Sequence, residues 1–412
     1  MKIAILTTGS RGDMQPLAAL GRKLVDEGHM VSLATVARYE PFVGSLGMRF
    51  SPVRGDVREL MRSGELSDAV NADNPVKALR ALRDPRFTRL LEQATEDLLD
   101  ACEGSDLILH HPGATIGSFY ARAAGVPAYI ASPFPLTPTS EYPSLLFARY
   151  PLPRVANRLT HSLFLRGFWG ATSSSTIRVA RNRGLISSSR VANPLLESRP
   201  VLVSTSEHVF PVEEPSRATG FWFVDDEPYD PPADLASFLD AGDPPAYAGF
   251  GSVGNPGEAR EMGRMLLEAA RLAGRRLLIA GGYGGLDLDS AAGDDVLIIE
   301  SAPHSWLFPR MAAVIHHGGA GTTAAGLRAG VPSLIIPHGN DQFAWARAVR
   351  EKGVGPGLPP RRKLTAGALA DALRQAAQPD MRWRASDLAG KIRSEGGATA
   401  MARQLPDLAR SA

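Results

Sequence analysis

A chain of 412 residues, 44% of them hydrophobic, is long enough to build two cores, so two domains are expected. Its 45 basic and 43 acidic residues are interspersed and leave a formal net charge of +2, which excludes the electrostatic footprint of a nucleic-acid binder. A single cysteine, Cys102, excludes a disulfide framework, and no apolar stretch approaches the roughly 18 residues that span a bilayer.

The chain opens Met1-Lys2 and runs straight into the apolar Ile3 to Leu6, with no secretory leader, and a cytoplasmic protein is expected. Lys2 to Thr7 reads as a buried strand. Leu17, Leu20, Leu24 and Val25 keep helical spacing, and Gly28 stands where a left-handed cap ends that helix. Between strand and helix lies Thr8-Gly9-Ser10-Arg11-Gly12-Asp13. Asp13 there caps the helix or takes a proton from a bound hydroxyl; the residues alone leave both readings open. Val31 to Thr35, Leu107 to Leu109 and Ala128 to Ala131 are further strands of a βαβ series, and His110 and His111 end one of them. In open parallel sheets, ligands collect at such strand ends.

Residues 134–169 are crowded with bulky apolar side chains, among them Phe134, Tyr142, Phe147 and Trp169. They pack a core or form the wall of a pocket for an apolar ligand, with His110 and His111 as polar candidates beside it. Residues 204–217 have linker composition. The expected domains are therefore 1–210 and 218–382, followed by a helical tail, 383–412, that packs on either half.

The second βαβ series comprises Tyr247 to Phe250, Arg276 to Ala280, Val296 to Ile299, Val314 to Ile315 and Ser333 to Ile336. Helical patterns at 258–273, 322–329, 343–352 and 366–377 separate or follow the strands. The run Gly249-Phe250-Gly251-Ser252-Val253-Gly254 matches a phosphate-binding turn, with Asn255 and Pro256 suited to open a helix. No acidic residue ends the next strand to hold a dinucleotide ribose. Asp287-Leu288-Asp289 resembles a metal-binding pair but sits in a Gly-rich acidic loop, and no metal is expected.

The most informative run is His316-His317-Gly318-Gly319-Ala320-Gly321-Thr322-Thr323, followed by Asp341-Gln342. A strand feeding a glycine turn and a helix start offers backbone N–H groups and a positive dipole end to an anion. The imidazole adds a donor, and an Asp-Gln pair suits vicinal sugar hydroxyls. Together they read as a site for a sugar joined to a diphosphate.

Taken together, Thr8 to Pro16, Gly28 to Val31, Thr137-Pro138-Thr139, Gly220 to Phe223, Gly249 to Ser252, Ala302 to Pro309 and His316 to Gln342 resemble the GT-B glycosyltransferases. Within them the chain looks like the branch of sterol 3β-glucosyltransferases and glycopeptide-antibiotic glycosyltransferases. The resemblance implies an α/β fold of two Rossmann-like domains, with parallel sheets facing across a cleft. It implies inverting transfer of a sugar from a UDP- or dTDP-sugar to a hydroxyl of a small, partly apolar acceptor, with neither cofactor nor metal. By the same resemblance Asp13 is the base, and Ala302 meets the nucleobase through its backbone. His316, Ala320, Gly321, Thr322 and Ser252 hold the diphosphate, Asp341 and Gln342 grip the sugar, and Ser10 and Arg11 close on the diphosphate.

Several positions depart from the relatives. Ser301 replaces a stacking tryptophan, Ala324 a ribose-binding glutamate, and His110-His111-Pro112 the usual Asn-Pro-Pro. A bacterial secondary metabolite is the expected acceptor. A sterol or lipid acceptor, a sugar-nucleotide 2-epimerase and a non-catalytic sugar-nucleotide-binding partner are the alternatives. The oligomeric state is not legible.

Overall fold

The computed structural model describes residues 1–7, 11–55, 85–150, 152–188, 190–197, 200–224, 228–250, 256–281, 294–339 and 341–410. Ser10, Ser252 and the Asp287-Asp289 pair lie outside them. The chain divides into Met1–Asp225 with Glu395–Ala412, and Asp226–Ser394.

The first unit carries seven parallel strands: β1 (Lys2–Leu6), β2 (Met30–Val36), β3 (Arg49–Val53), β4 (Leu107–His110), β5 (Ala128–Ser132), β6 (Leu202–Val203) and β7 (Arg217–Ala218), in the order 3-2-1-4-5-6-7. Among the described residues its helices are α1 (Arg11–Asp26), α2 (Glu40–Ser45), α3 (Pro85–Asp100), α4 (Ile116–Ala124) and α5 (Arg154–Asn182), with a C-terminal helix added from residue 397. Strand side chains alternate between two cores. Ile3 and Ile5 join Leu17, Leu20, Trp222 and Met401 on one face, while Ala4 and Leu6 join Leu98, Phe119 and Val179 on the other. Strand order reverses between β1 and β4, where Leu6 pairs with His110.

The second unit has β8 (Ala246–Gly249), β9 (Leu277–Ala280), β10 (Val296–Ile299), β11 (Ala313–His316) and β12 (Ser333–Ile335), all parallel, in the order 10-9-8-11-12. Its helices are α6 (Ala233–Asp240), α7 (Pro256–Ala273), α8 (His304–Leu307), α9 (Ala320–Ala329), α10 (Gln342–Glu351), α11 (Ala366–Ala376) and α12 (Pro379–Ser394). Here the reversal lies between β8 and β11, with His316 paired to Gly249. The two Rossmann-like sheets match the expected fold class.

The boundaries fall elsewhere than the composition suggests. Residues 204–217 are not a solvated linker: Ser204, Thr205, Ser206, Val209 and Phe210 are buried, and β6 and β7 extend the sheet. Ser204 and Ser206 are bonded internally: Trp222 N–H donates to Ser204 Oγ at 2.9 Å, and Ser206 Oγ donates to Glu395 Oε1 at 3.1 Å. The tail is two helices, because Gly396 and Gly397 both take positive φ, 82° and 55°. Only the second, α13 (Gly397–Arg410), packs on α1, through Met401 and Leu405; α12 packs on α9 within the other unit.

Candidate functional site

In the second unit, β11 ends at His316 and α9 begins four residues later. Gly318 turns the chain at φ 96°, and a Cβ there would lie 2.6 Å from Ile335 Cγ2, so only glycine fits. Its N–H donates to His316 Nδ1 at 3.0 Å, which puts the proton of the neutral ring on Nε2. That Nε2 is fully buried and has no hydrogen-bond partner among the described residues. Gly319 caps α9 without any side-chain bond, so the first-turn N–H groups of Ala320, Gly321 and Thr322 have no intrahelical acceptor. A buried unpaired donor beside an uncapped helix start is an arrangement that an anion satisfies.

Asp341 caps α10, and its Oδ2 accepts from Trp345 Nε1 at 3.0 Å. Trp345 is wholly buried, so this bond fixes the carboxylate. Gln342 Oε1 accepts from the N–H groups of His338 (2.7 Å) and Gly339 (3.1 Å), stitching the loop before α10. Ala302 is half-buried in the turn that leads into α8, and α8 packs on α9.

In the first unit Asp13 sits inside the first turn of α1, which begins at Arg11 rather than just after Asp13. His111 follows β4 across the strand-order reversal. Its Nδ1 accepts from Gly113 N–H at 3.1 Å, leaving the proton on Nε2, which lies 3.7 Å from Asp13 Oδ1. Phe134 stands edge-on to the His111 ring, centroids 6.0 Å apart. Burial lowers the His111 pKa and the Asp13 carboxylate opposes that shift.

The sequence relatives decide the family. The glycosyltransferase family 28 N-terminal domain matches residues 3–143, and the erythromycin biosynthesis protein CIII-like C-terminal domain matches residues 283–408. A sterol 3-beta-glucosyltransferase of Arabidopsis thaliana is 33% identical over 97% of this chain and 67% of its own length. The chain belongs to the GT-B glycosyltransferases. A second sterol 3-beta-glucosyltransferase, from Saccharomyces cerevisiae, is 34% identical over 96% of the chain; the chain spans 34% of its length and 26% of a Neurospora crassa relative. Among solved structures, the glycotransferase of kitacinnamycin superposes with TM-score 0.72 at 19% identity over 99% of both chains. The glycosyltransferase VinC in complex with dTDP gives 0.69 at 18% over 100% of both. At these identities the structures establish the fold.

Within this GT-B chain the sequence-derived residues separate. His316, the α9 first turn, Asp341 and Gln342 gather at the ends of β11 and β12. Asp13, His111 and Phe134 gather at the ends of β1 and β4. Arg11 is exposed and donates to Gln15 Oε1 at 3.2 Å. Three pocket candidates are placed differently from expectation. His110 is wholly enclosed, one ring nitrogen bonded to His111 O and the other to Ser118 Oγ. Tyr142 donates to Pro211 O at 3.1 Å and packs on His161 and Phe210. Trp169, partly buried, stacks on Phe119 against the core. Phe147 is half-buried in a short 3₁₀ turn. Trp345, which orients Asp341, was missed; its i+4 spacing from an aspartate at a helix start was the available signal.

His161 and His317 are each depressed to about 4, burial being the main cause. Both bind fewer protons folded than unfolded, so stability is present above about pH 6.5 and is lost as pH falls towards 4. At pH 5 each costs about 2 kcal/mol relative to neutral pH. Thermal melts at pH 7 and pH 5 are expected to show a clear fall in Tm; equal melts would mean that the rings ionise normally in the fold.

Proposed function

We propose that this chain moves a sugar from a UDP- or dTDP-sugar to a hydroxyl of a small, partly apolar acceptor, inverting the anomeric carbon. The supporting observation is the buried, unpartnered His316 Nε2–H beside the uncapped start of α9. A diphosphate oxygen accepts from that nitrogen, and the amides of Ala320, Gly321 and Thr322 take the others. As the bond between the anomeric carbon and the diphosphate oxygen breaks, these oriented donors stabilise the charge left on the leaving group. Fixed N–H donors carry that charge, so no divalent metal is required by the reading.

Asp341 takes the sugar hydroxyls in its Trp345-braced orientation. Gln342 contributes its amide nitrogen, since its oxygen is engaged by the loop. Ala302 offers backbone groups to the nucleobase. On the first unit Asp13 accepts the acceptor's proton, with His111 Nε2 3.7 Å from its carboxylate, and Phe134 supplies an apolar flank beside the His111 ring. The named relatives favour a sterol as acceptor and the named neighbours a natural product. A hydroxyl on a small, partly apolar molecule is the acceptor this reading keeps.

Purified protein is expected to melt higher with a UDP- or dTDP-sugar than with a GDP-sugar; a ligand at a hundred times its Kd adds about 2.7 kcal/mol. Mass spectrometry with sterol and polyketide acceptors then reads transfer. Donor binding without any transfer or hydrolysis would favour a non-catalytic partner, and no binding would overturn the reading.

A further inference from the structure

Side chains alternate along β8, so Tyr247 and Gly249 share one face of the sheet. The register sets Tyr247 beside Val314 and Gly249 beside His316. Tyr247 and Val314 join one core cluster with Phe308, which fixes the face that all four positions share. The phenol runs forward along the strand and lies over Gly249. A Cβ at Gly249 would overlap Tyr247 Oη and lie 2.6 Å from its Cζ, so glycine there leaves the room that the hydroxyl fills. The Tyr247 oxygen is thereby carried to the carboxyl end of β8, next to the His316 side chain on the neighbouring strand.

The ring is held while its oxygen is left unsatisfied. Phe308 packs on the phenol with centroids 5.1 Å apart, and His304 stands edge-on to it at 6.0 Å. His304 in turn stacks on Phe308 at 4.3 Å. Tyr247 is only 5% exposed, yet among the described residues its hydroxyl makes no hydrogen bond. A buried phenol ordinarily finds a partner for its O–H. Nor do the two neighbours satisfy each other, since His316 Nε2 also lacks a partner among the described residues. Unlike that nitrogen, the Tyr247 oxygen is not sealed from solvent, so a ligand atom can reach it. Burial pushes the phenol up to about 12, and it keeps its proton throughout the neutral range.

We propose that Tyr247 is a further residue binding the nucleotide sugar, its hydroxyl donating to a diphosphate oxygen beside His316. The inference rests on the reading of this strand end as a diphosphate site, and it adds a group from a second strand. His316 reaches the ligand from β11 and Tyr247 from β8, so the diphosphate is gripped from both sides of the strand-order reversal. Both groups are neutral donors, and a hydrogen bond to a charged oxygen is roughly twice as strong as one between neutral partners. The packing of Phe308 and His304 fixes the phenol before any ligand arrives, so little side-chain freedom is lost on binding.

Tyr247→Phe is the test, because it deletes one oxygen and keeps the ring against Phe308 and His304. Calorimetric affinity is expected to fall about tenfold, and by the same factor for UDP and dTDP. The free variant is expected to melt at or slightly above the wild-type temperature, because the deleted hydroxyl had no partner to lose. A lower melting temperature with unchanged affinity would make Tyr247 a packing residue and overturns the proposal. A loss confined to UDP, which carries the 2′-hydroxyl that dTDP lacks, would move the contact to the ribose and overturns it too. Where wild type binds UDP, His316→Ala weakens it and Tyr247→Phe binds like wild type, the Tyr247 assignment falls alone. A wild-type chain that binds neither UDP nor dTDP removes the diphosphate reading and this inference with it.

Discussion

Asp13→Ala is expected to lower turnover by at least about a hundredfold while donor affinity stays within roughly twofold. The carboxylate sits in the first turn of α1, and His111 Nε2 lies 3.7 Å away. A base placed at a strand-order reversal is at the end of the sheet where ligands gather. Removing it leaves the acceptor hydroxyl to attack while still protonated, which accounts for the size of the effect. The proposed donor site is built from other residues, on other strands, so calorimetric affinity for UDP or dTDP should hardly move. Asp13→Asn separates shape from chemistry: it keeps the volume and cannot take a proton, and should be as inactive as the alanine variant. Turnover near wild type in either variant would remove Asp13 from the base role.

The fold was legible where burial imposes a period. β1, β2, β4 and β5, with β8, β9, β11 and β12, carry the apolar runs that parallel strands buried on both faces require, and β10 keeps such a run although it is a partly exposed edge strand. β3 was not read, because Arg49-Phe50-Ser51-Pro52-Val53 is a half-exposed edge strand with a proline. The start of α1 was placed too late because Pro16 suits a first helical turn, yet here it lies inside the helix. α5 escaped for a deeper reason. With Asn157, Thr160 and His161 inward and Val155, Leu159 and Leu163 outward, its pattern inverts the rule by which an amphipathic helix is recognised.

The candidate site was legible as composition but not as arrangement. His316 with its glycines, and Asp341-Gln342, announced an anion and hydroxyl site through residue type and spacing. Which of two adjacent histidines stands by Asp13 depends on strand alternation. His110 is the last residue of β4 and is swallowed by the core, while His111 follows it into the turn. Tyr142 and Trp169 looked equally suited to a pocket wall, and only their partners, Pro211 O and Phe119, show them to be packing groups.

His316→Ala is the complementary experiment, and it is expected to weaken UDP or dTDP binding by about ten- to a hundredfold, the range for a lost hydrogen bond to a charged group. Among the described residues His316 Nε2 is buried without a partner, at a desolvation cost of about 1–3 kcal/mol that a bound phosphate oxygen would relieve. Burial and the neighbouring His317 and His304 hold the ring well below its ordinary pKa. On the proposed reading it would meet the diphosphate as a neutral donor, and the affinity it contributes should vary little between pH 7 and pH 8. The Gly318 N–H to Nδ1 bond enforces that tautomer, so the turn and the donor are one device. Alanine removes the donor while the α9 amides persist, so binding should weaken rather than vanish. Unchanged affinity by calorimetry would place the diphosphate away from β11, and with it the leaving-group chemistry assigned to this strand end.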